Sequence, residues 1–155
     1  MRWRPILRVF LSLAALPAAS VLADPSPPAP VPATPVVPFP TAERYYNQGL
    51  EHHKRGDFTR AAAAYQDAIR LREAFPEAWN GLGYALRQQG RYPEAVRAYE
   101  RALALRPNYV EALEYLGEAY VRMGRLDDAR AVLRRLEPLD REEAAKLRAS
   151  IERGR

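Results

Sequence analysis

The sequence predicts an all-α protein in which helical hairpins stack side by side as an α-solenoid. Three observations lead there. Laying the chain on itself at a shift of 34 residues aligns one position after another from Thr41 onward. Small and apolar residues recur within each copy at helical spacing, and a glycine separates two such stripes in every copy.

Residues 1–23 precede the repeat and set Arg2, Arg4 and Arg8 ahead of an apolar run, Val9 to Leu16, followed by Pro17 and small residues that end at Ala23. This is the layout of a secretory signal peptide, cut after Ala23. The alternatives are an uncleaved segment that keeps the protein near a membrane, or an ordinary N-terminal helix. The apolar run is shorter than the ~20 helical residues a bilayer core requires. Export to a periplasm or to the secreted fraction is therefore expected. Lys54 and Lys146 are the only lysines among 24 basic residues, a skew that points weakly to a bacterium with a GC-rich genome. Cleavage removes three arginines and no acid, so the formal charge falls from +5 to +2. That removes most of the case for a nucleic-acid partner.

Residues 24–41 read as a proline-rich linker, with eight prolines among the seventeen residues from Asp24 to Pro40. Proline lacks a backbone donor and pushes its predecessor toward extended backbone, so neither a helix nor a strand ladder forms there. A semi-rigid polyproline II spacer of ~3.1 Å per residue is expected. The spacings Pro32-Pro35 and Pro35-Pro38 would also suit a proline-binding groove, although such spacings are unavoidable at this proline density.

The repeat itself spans residues 42–153, in copies 42–75, 76–109 and 110–143 with a closing helix over 140–153. Tyr45, Trp79 and Leu113 share one column, Gly49, Gly83 and Gly117 the next, and Gly56, Gly90 and Gly124 a third. Phe58, Tyr92 and Leu126 follow, then Ala61, Ala95 and Ala129, then Tyr65, Tyr99 and Leu133, then Ala68, Ala102 and Leu136. Trp79, Leu82, Gly83 and Leu86 make one helical stripe, and Ala95, Tyr99 and Ala102 a second. Gly90 between them suits the left-handed residue that ends a helix, while Pro93 and Glu94 suit the first turn of the next. Gly83, Ala95 and Ala102 let paired helices approach closely, with Trp79 and Tyr99 filling the space on either side. Trp79 is expected in the core, so its truncation should cost about 3–5 kcal/mol. Asp140 can cap a last helix whose Ala144, Leu147 and Ile151 form a weak apolar stripe, the cover a stack needs at its end.

At these residues the chain resembles the tetratricopeptide repeat (TPR) family, whose unit has 34 residues and the pattern W-x2-L-G-x2-Y followed by A, F, A and P. The second copy matches through Trp79, Leu82, Gly83, Gly90, Tyr92, Ala95, Tyr99, Ala102 and Pro107, and departs mainly at Leu86, where the family has Tyr. The third keeps Leu116, Gly117, Tyr120 and Ala129 but carries Leu136 and Arg141 at usually small and Pro positions, and Pro138 should end its second helix early. The first has Gln48, His52 and Glu73 where Leu, Tyr and Pro are usual, as a looser terminal copy can. The resemblance implies a right-handed superhelix whose first helices line a concave, partner-binding face.

Carried over copy by copy, that face should show Glu43, Tyr46, Asn47, Leu50, His53 and Lys54 from the first repeat. The second adds Asn80, Tyr84 and Arg87 beside Glu77 and Gln88, and the third adds Glu111, Glu114, Tyr115, Glu118 and Arg122. Tyrosine and asparagine can grip an extended chain, by ring area and by amide pairing with its backbone. Some family members clamp a C-terminal carboxylate with Lys, Asn and Arg, but Tyr46, Leu50, Gly81, Glu111 and Tyr115 stand at those positions here, so no such clamp is expected. Glu111, Glu114 and Glu118 share one helix face and could attract a cationic segment.

Catalysis has little to work with. The absence of cysteine removes disulfides, thiol nucleophiles and cysteine zinc sites. His52 and His53 are neighbours and point roughly 100° apart on a helix, too far to share one metal. No phosphate-cradling glycine loop is present. The expected protein is not an enzyme and holds no cofactor or metal: it is an exported adaptor or scaffold that binds a peptide segment of an envelope or secreted protein. The alternative is a structural protein that self-associates into homo-oligomers through its end repeats, without a separate client.

Overall fold

The computed structural model describes residues 41–154. The expected signal peptide and, apart from Thr41, the proline-rich linker lie outside the described residues. Seven helices and no strand are found among the described residues. They are α1 (Ala42–Lys54), α2 (Phe58–Leu71), α3 (Pro76–Gln88), α4 (Tyr92–Leu105), α5 (Val110–Arg122), α6 (Leu126–Leu136) and α7 (Arg141–Arg153). Pairs α1/α2, α3/α4 and α5/α6 form antiparallel hairpins, each packed on the next, and α7 closes the stack against α5 and α6. Among the described residues no helix is long and apolar enough to cross a membrane.

Each hairpin turns on a glycine whose conformation the turn requires. Gly56, Gly90 and Gly124 have φ of 74°, 75° and 71°. Two reverse hydrogen bonds close each turn: Gly56 N–H donates to His53 O at 2.9 Å and Asp57 N–H to His52 O at 2.9 Å, and the same pair recurs at Gly90/Arg91 and Gly124/Arg125. That satisfies carbonyls a helix end otherwise leaves bare. Thr41, Asp57 and Asp140 cap α1, α2 and α7 by accepting from backbone N–H groups three, three, and two and three residues on. Pro76 and Pro93 occupy the first turns of α3 and α4, where no donor is lost. Helix α6 has 11 residues against 14 in α2 and α4, ending before Pro138.

Close helix approach decides the packing. A Cβ added at Gly49 would lie 2.5 Å from the Tyr65 ring, and one at Gly83 would lie 2.6 Å from that of Tyr99. Ala61, Ala95, Ala129, Ala68 and Ala102 are fully buried around them. In the third copy the pattern changes partner, since a Cβ added at Gly117 would lie 2.5 Å from Leu147 of α7 instead of meeting a tyrosine from its own hairpin. Leu147, Ala144 and Ile151 are buried, so the closing helix covers the last repeat.

The tryptophan column departs from expectation. Leu113 is fully buried, but Trp79 is only half-buried. Its indole N–H donates 2.8 Å to the Glu73 carbonyl in the α2–α3 turn, and the Arg101 guanidinium stands 5.7 Å from the ring centroid. A polar handle and a cation at the ring keep that side chain at the edge of the core. In the first copy α1 buries only Ala42 and Gly49, while α2 buries Ala61, Ala62, Ala64, Tyr65 and Ala68, so this copy is closely paired and exposed mainly on the outer side of α1.

Leu147→Ala should lower stability by about 3 kcal/mol in urea titration, through lost apolar burial and a cavity beside Gly117. Trp79→Ala should cost about 2–3 kcal/mol, because part of its surface stays in water. A larger loss from Trp79 than from Leu147 would contradict this packing.

Candidate functional site

The first helices of the hairpins present their side chains on one face. Tyr46, Leu50 and His53 are spaced i, i+4, i+7 along α1, and Asn80, Tyr84 and Arg87 repeat that spacing on α3. Tyr46, Leu50 and His53 of α1, Glu77, Asn80, Gly81 and Tyr84 of α3, Tyr115 of α5, Tyr109 just before it, and Tyr65 beneath them line one groove.

An aromatic ladder runs across it. His53 stacks on Tyr84 at 4.4 Å between centroids and an interplanar angle of 13°, and Tyr84 meets Tyr115 edge-on at 5.4 Å. Phe58 buttresses the start of the ladder, 5.9 Å from His53 and 6.1 Å from Tyr84. At the other edge, Tyr46 contacts Phe75 and Tyr65 at 5.0 and 5.7 Å. The Arg87 guanidinium sits 5.2 Å from the centroids of both Tyr84 and Tyr115. Flat faces held this way offer contact area at little entropic cost.

Several polar atoms of the groove are buried without a hydrogen-bond partner: Tyr65 Oη, Asn80 Oδ1, Arg87 Nε and Tyr99 Oη. Asn80 Nδ2 donates to Tyr109 Oη at 3.4 Å, leaving its oxygen unused. Burial pushes the Tyr65 and Tyr99 phenols well above the ordinary range, with Arg87 opposing the shift at Tyr99. Burial also raises Tyr46, Tyr109 and Tyr115, helped by Glu77 at Tyr46, by Glu111 at Tyr109 and by Glu114 at Tyr115. Glu114 is itself raised, first by burial and then by Glu143.

Charges on the groove rim follow the repeat until its last copy. Arg72 pairs with Glu43 and Arg106 with Glu77, each arginine from the end of a second helix reaching its own hairpin's first helix. The next members of these columns are Asp140 and Glu111, two acids. Glu111 therefore has no ion pair among the described residues.

Of the positions expected on the concave face, Tyr46, Leu50, His53, Asn80, Tyr84 and Tyr115 come together, Arg87 bridges two of them, and Glu111 and Glu114 flank Tyr115. Four others do not join them. Asn47 opens onto a separate depression with Gln48, His52 and Arg55, on a side of α1 that no hairpin among the described residues covers. Lys54 is exposed and bonded to Glu51 at 3.0 Å. Glu118 and Arg122 line a depression shared with Ser150 and Arg153, because α7 packs across that end of α5. Tyr65 and Tyr109 were not expected in the groove. Gly81 is the readable signal for Tyr65: a glycine outside the repeat columns brings the α3 backbone against the buried ring, and a Cβ there would lie 2.7 Å from it. Among the described residues no cluster of His, Asp or Glu is arranged to hold a metal.

Burial of His53 lowers its pKa from the ordinary 6.5. The unfolded chain therefore takes up a proton at this residue before the folded one does, and stability is lost as pH falls from about 6.5 through the lower folded value. Unfolding free energy should drop between pH 7 and 5.5, and His53→Phe, which keeps a ring against Tyr84, should flatten that drop. An unchanged slope in the variant would contradict a buried stacked imidazole.

The geometry agrees with known proteins. A family model described as TPR repeat matches residues 49–86 and 83–124. No curated protein matches. Among solved structures, the TPR2B domain of yeast Sti1 in its pHsp70 complex is similar with a TM-score of 0.70 and 22% identity, over 74% of this chain and 98% of that one. The second TPR domain of human RPAP3 with the HSP70 peptide SGPTIEEVD gives 0.69 and 22%, over 72% and 94%. MamA protein gives 0.62 and 27%, over 68% of this chain and 57% of its own. The repeated hairpins, their glycine turns and the matched residues agree, and the chain belongs to the tetratricopeptide repeat family.

Proposed function

We propose that this protein is an exported adaptor whose concave groove binds an extended segment of another protein. The observation that carries the reading is the His53–Tyr84–Tyr115 ladder beside the unpartnered Asn80 oxygen. Rings supply area, and an amide oxygen without a partner is suited to a backbone N–H. Two of the similar structures are peptide-binding domains, and the RPAP3 ligand ends in the acidic EEVD. Tyr46, Leu50, Gly81, Glu111 and Tyr115 replace the clamp expected for a C-terminal carboxylate, so an acidic tail is the wrong ligand for it. The signal-like residues 1–23 support export, and the proline-rich stretch supports a spacer that gives the groove reach.

Self-association is the competing reading, favoured by Tyr45, a column residue left half-buried at the end of the stack. Because α7 covers the opposite end, such contact is limited to pairing through α1. Light scattering over a concentration series separates the two: a mass that stays monomeric removes self-association.

The triple variant Tyr46→Ala, Tyr84→Ala, Tyr115→Ala should lose capture of envelope proteins by about tenfold or more, as loss of aromatic hot spots implies. Helicity by circular dichroism checks that the variant is folded. Equal capture by the folded variant would contradict the groove as the binding surface.

A further inference from the structure

One place in the groove is built differently from its counterpart in the next repeat. Tyr99 in α4 is roofed by Tyr115, 6.0 Å away between centroids. Tyr65 is the same column residue one copy earlier, and the position that would roof it is Gly81. The result is a notch at Gly81 within the groove cavity, which measures about 120 Å³ in all, with the fully buried Tyr65 at its base. Its hydroxyl has no hydrogen-bond partner, and neither has Asn80 Oδ1 in the same wall. The other walls include the rings of Tyr46, Tyr84, Tyr109 and Tyr115, the Leu50 and His53 side chains, and the carboxylate of Glu77.

The chemistry of this lining favours a cation. Glu77 is its one charged member apart from the titratable His53. Arg106 is bonded to that carboxylate and stands 4.6 Å from the Tyr109 centroid, and Arg87 stands 5.2 Å from those of Tyr84 and Tyr115, so these rings already attract cations. Glu111, without an ion pair, starts α5 one turn before Tyr115, which also lines the notch. Aromatic faces, an amide oxygen and a phenolic oxygen all accept from an ammonium group, and tyrosine walls attract it through their quadrupoles. The size suits an alkylammonium chain end rather than a folded segment.

We propose that the Gly81 notch is a subsite for a lysine side chain of the bound segment, its ammonium held by Asn80 Oδ1, Tyr65 Oη and the surrounding tyrosine faces. The subsite rests on the groove reading above and adds the class of partner: a lysine-bearing, basic stretch.

The test is a titration of the ¹⁵N-labelled full chain with n-butylammonium chloride, compared with n-butanol and with sodium acetate at matched ionic strength. The ammonium should shift the Asn80 and Gly81 amides and bind at least fivefold more tightly than the alcohol. Tyr65→Phe should leave the fold as stable or more so, since it removes a buried hydroxyl without a partner, yet weaken ammonium binding about threefold. Glu111→Gln should weaken it by a similar factor, and added salt should do the same. Equal binding by n-butanol, preferential binding of acetate, or shifts absent from Asn80 and Gly81 would each overturn the proposal. The probe is not a peptide, so the two readings fail separately. A protein that captures partners through Tyr46, Tyr84 and Tyr115 but ignores the ammonium keeps the adaptor function and loses this subsite.

Discussion

The structure depends on one steric constraint: a large side chain seated where a helix carries no Cβ. Tyr65 lies against Gly49, Tyr99 against Gly83 and Leu147 against Gly117, each closer than any β-carbon would allow. These seats set the distance between successive helices, and van der Waals contact over whole rings rewards them. With the spacing fixed, the first helices come near enough for His53, Tyr84 and Tyr115 to touch across the repeats. The concave surface is therefore a consequence of the core glycines, although none of the three column glycines lines it.

Asp140 links the end of the stack to the charge of its groove. In the column of Arg72 and Arg106, an arginine would extend the rim ion pairs to Glu111. An aspartate there instead caps α7, accepting from Glu142 and Glu143 N–H at 2.9 and 3.0 Å. The cap starts the helix whose Leu147 covers the last hairpin, and the same residue leaves Glu111 without an ion pair among the described residues. Exposed pairs of this kind add little stability, so the loss of one is cheap for the fold. Its effect is on the electrostatics of the groove.

Periodicity made the hairpins, their glycine turns and the seating columns legible, since each of these is a local property repeated three times. Trp79 was placed too deep. A column assigns a face to a residue, but the depth of that face depends on the Glu73 carbonyl and Arg101, both outside the stripe. Asn47 and Lys54 have the right helical phase for the groove but belong to α1, whose outer side is shaped by no other hairpin among the described residues. Glu118 and Arg122 are diverted by α7, a neighbour outside the 34-residue period. Tyr65 stood in plain view as a packing residue. Its hydroxyl becomes part of the groove only because of Gly81, 16 positions away and in the next copy, a coincidence of two residues that no single-repeat pattern expresses.

The central claim is that the ladder face receives an extended chain. Its most direct measurement is backbone shift mapping of the full chain with a peptide selected on it from a random display library. The account predicts shifts in one continuous track through Leu50, His53, Asn80, Gly81, Tyr84 and Tyr115. Shifts gathered instead around Leu103, Tyr120 and Val132, on the depression that the second helices border, would contradict it.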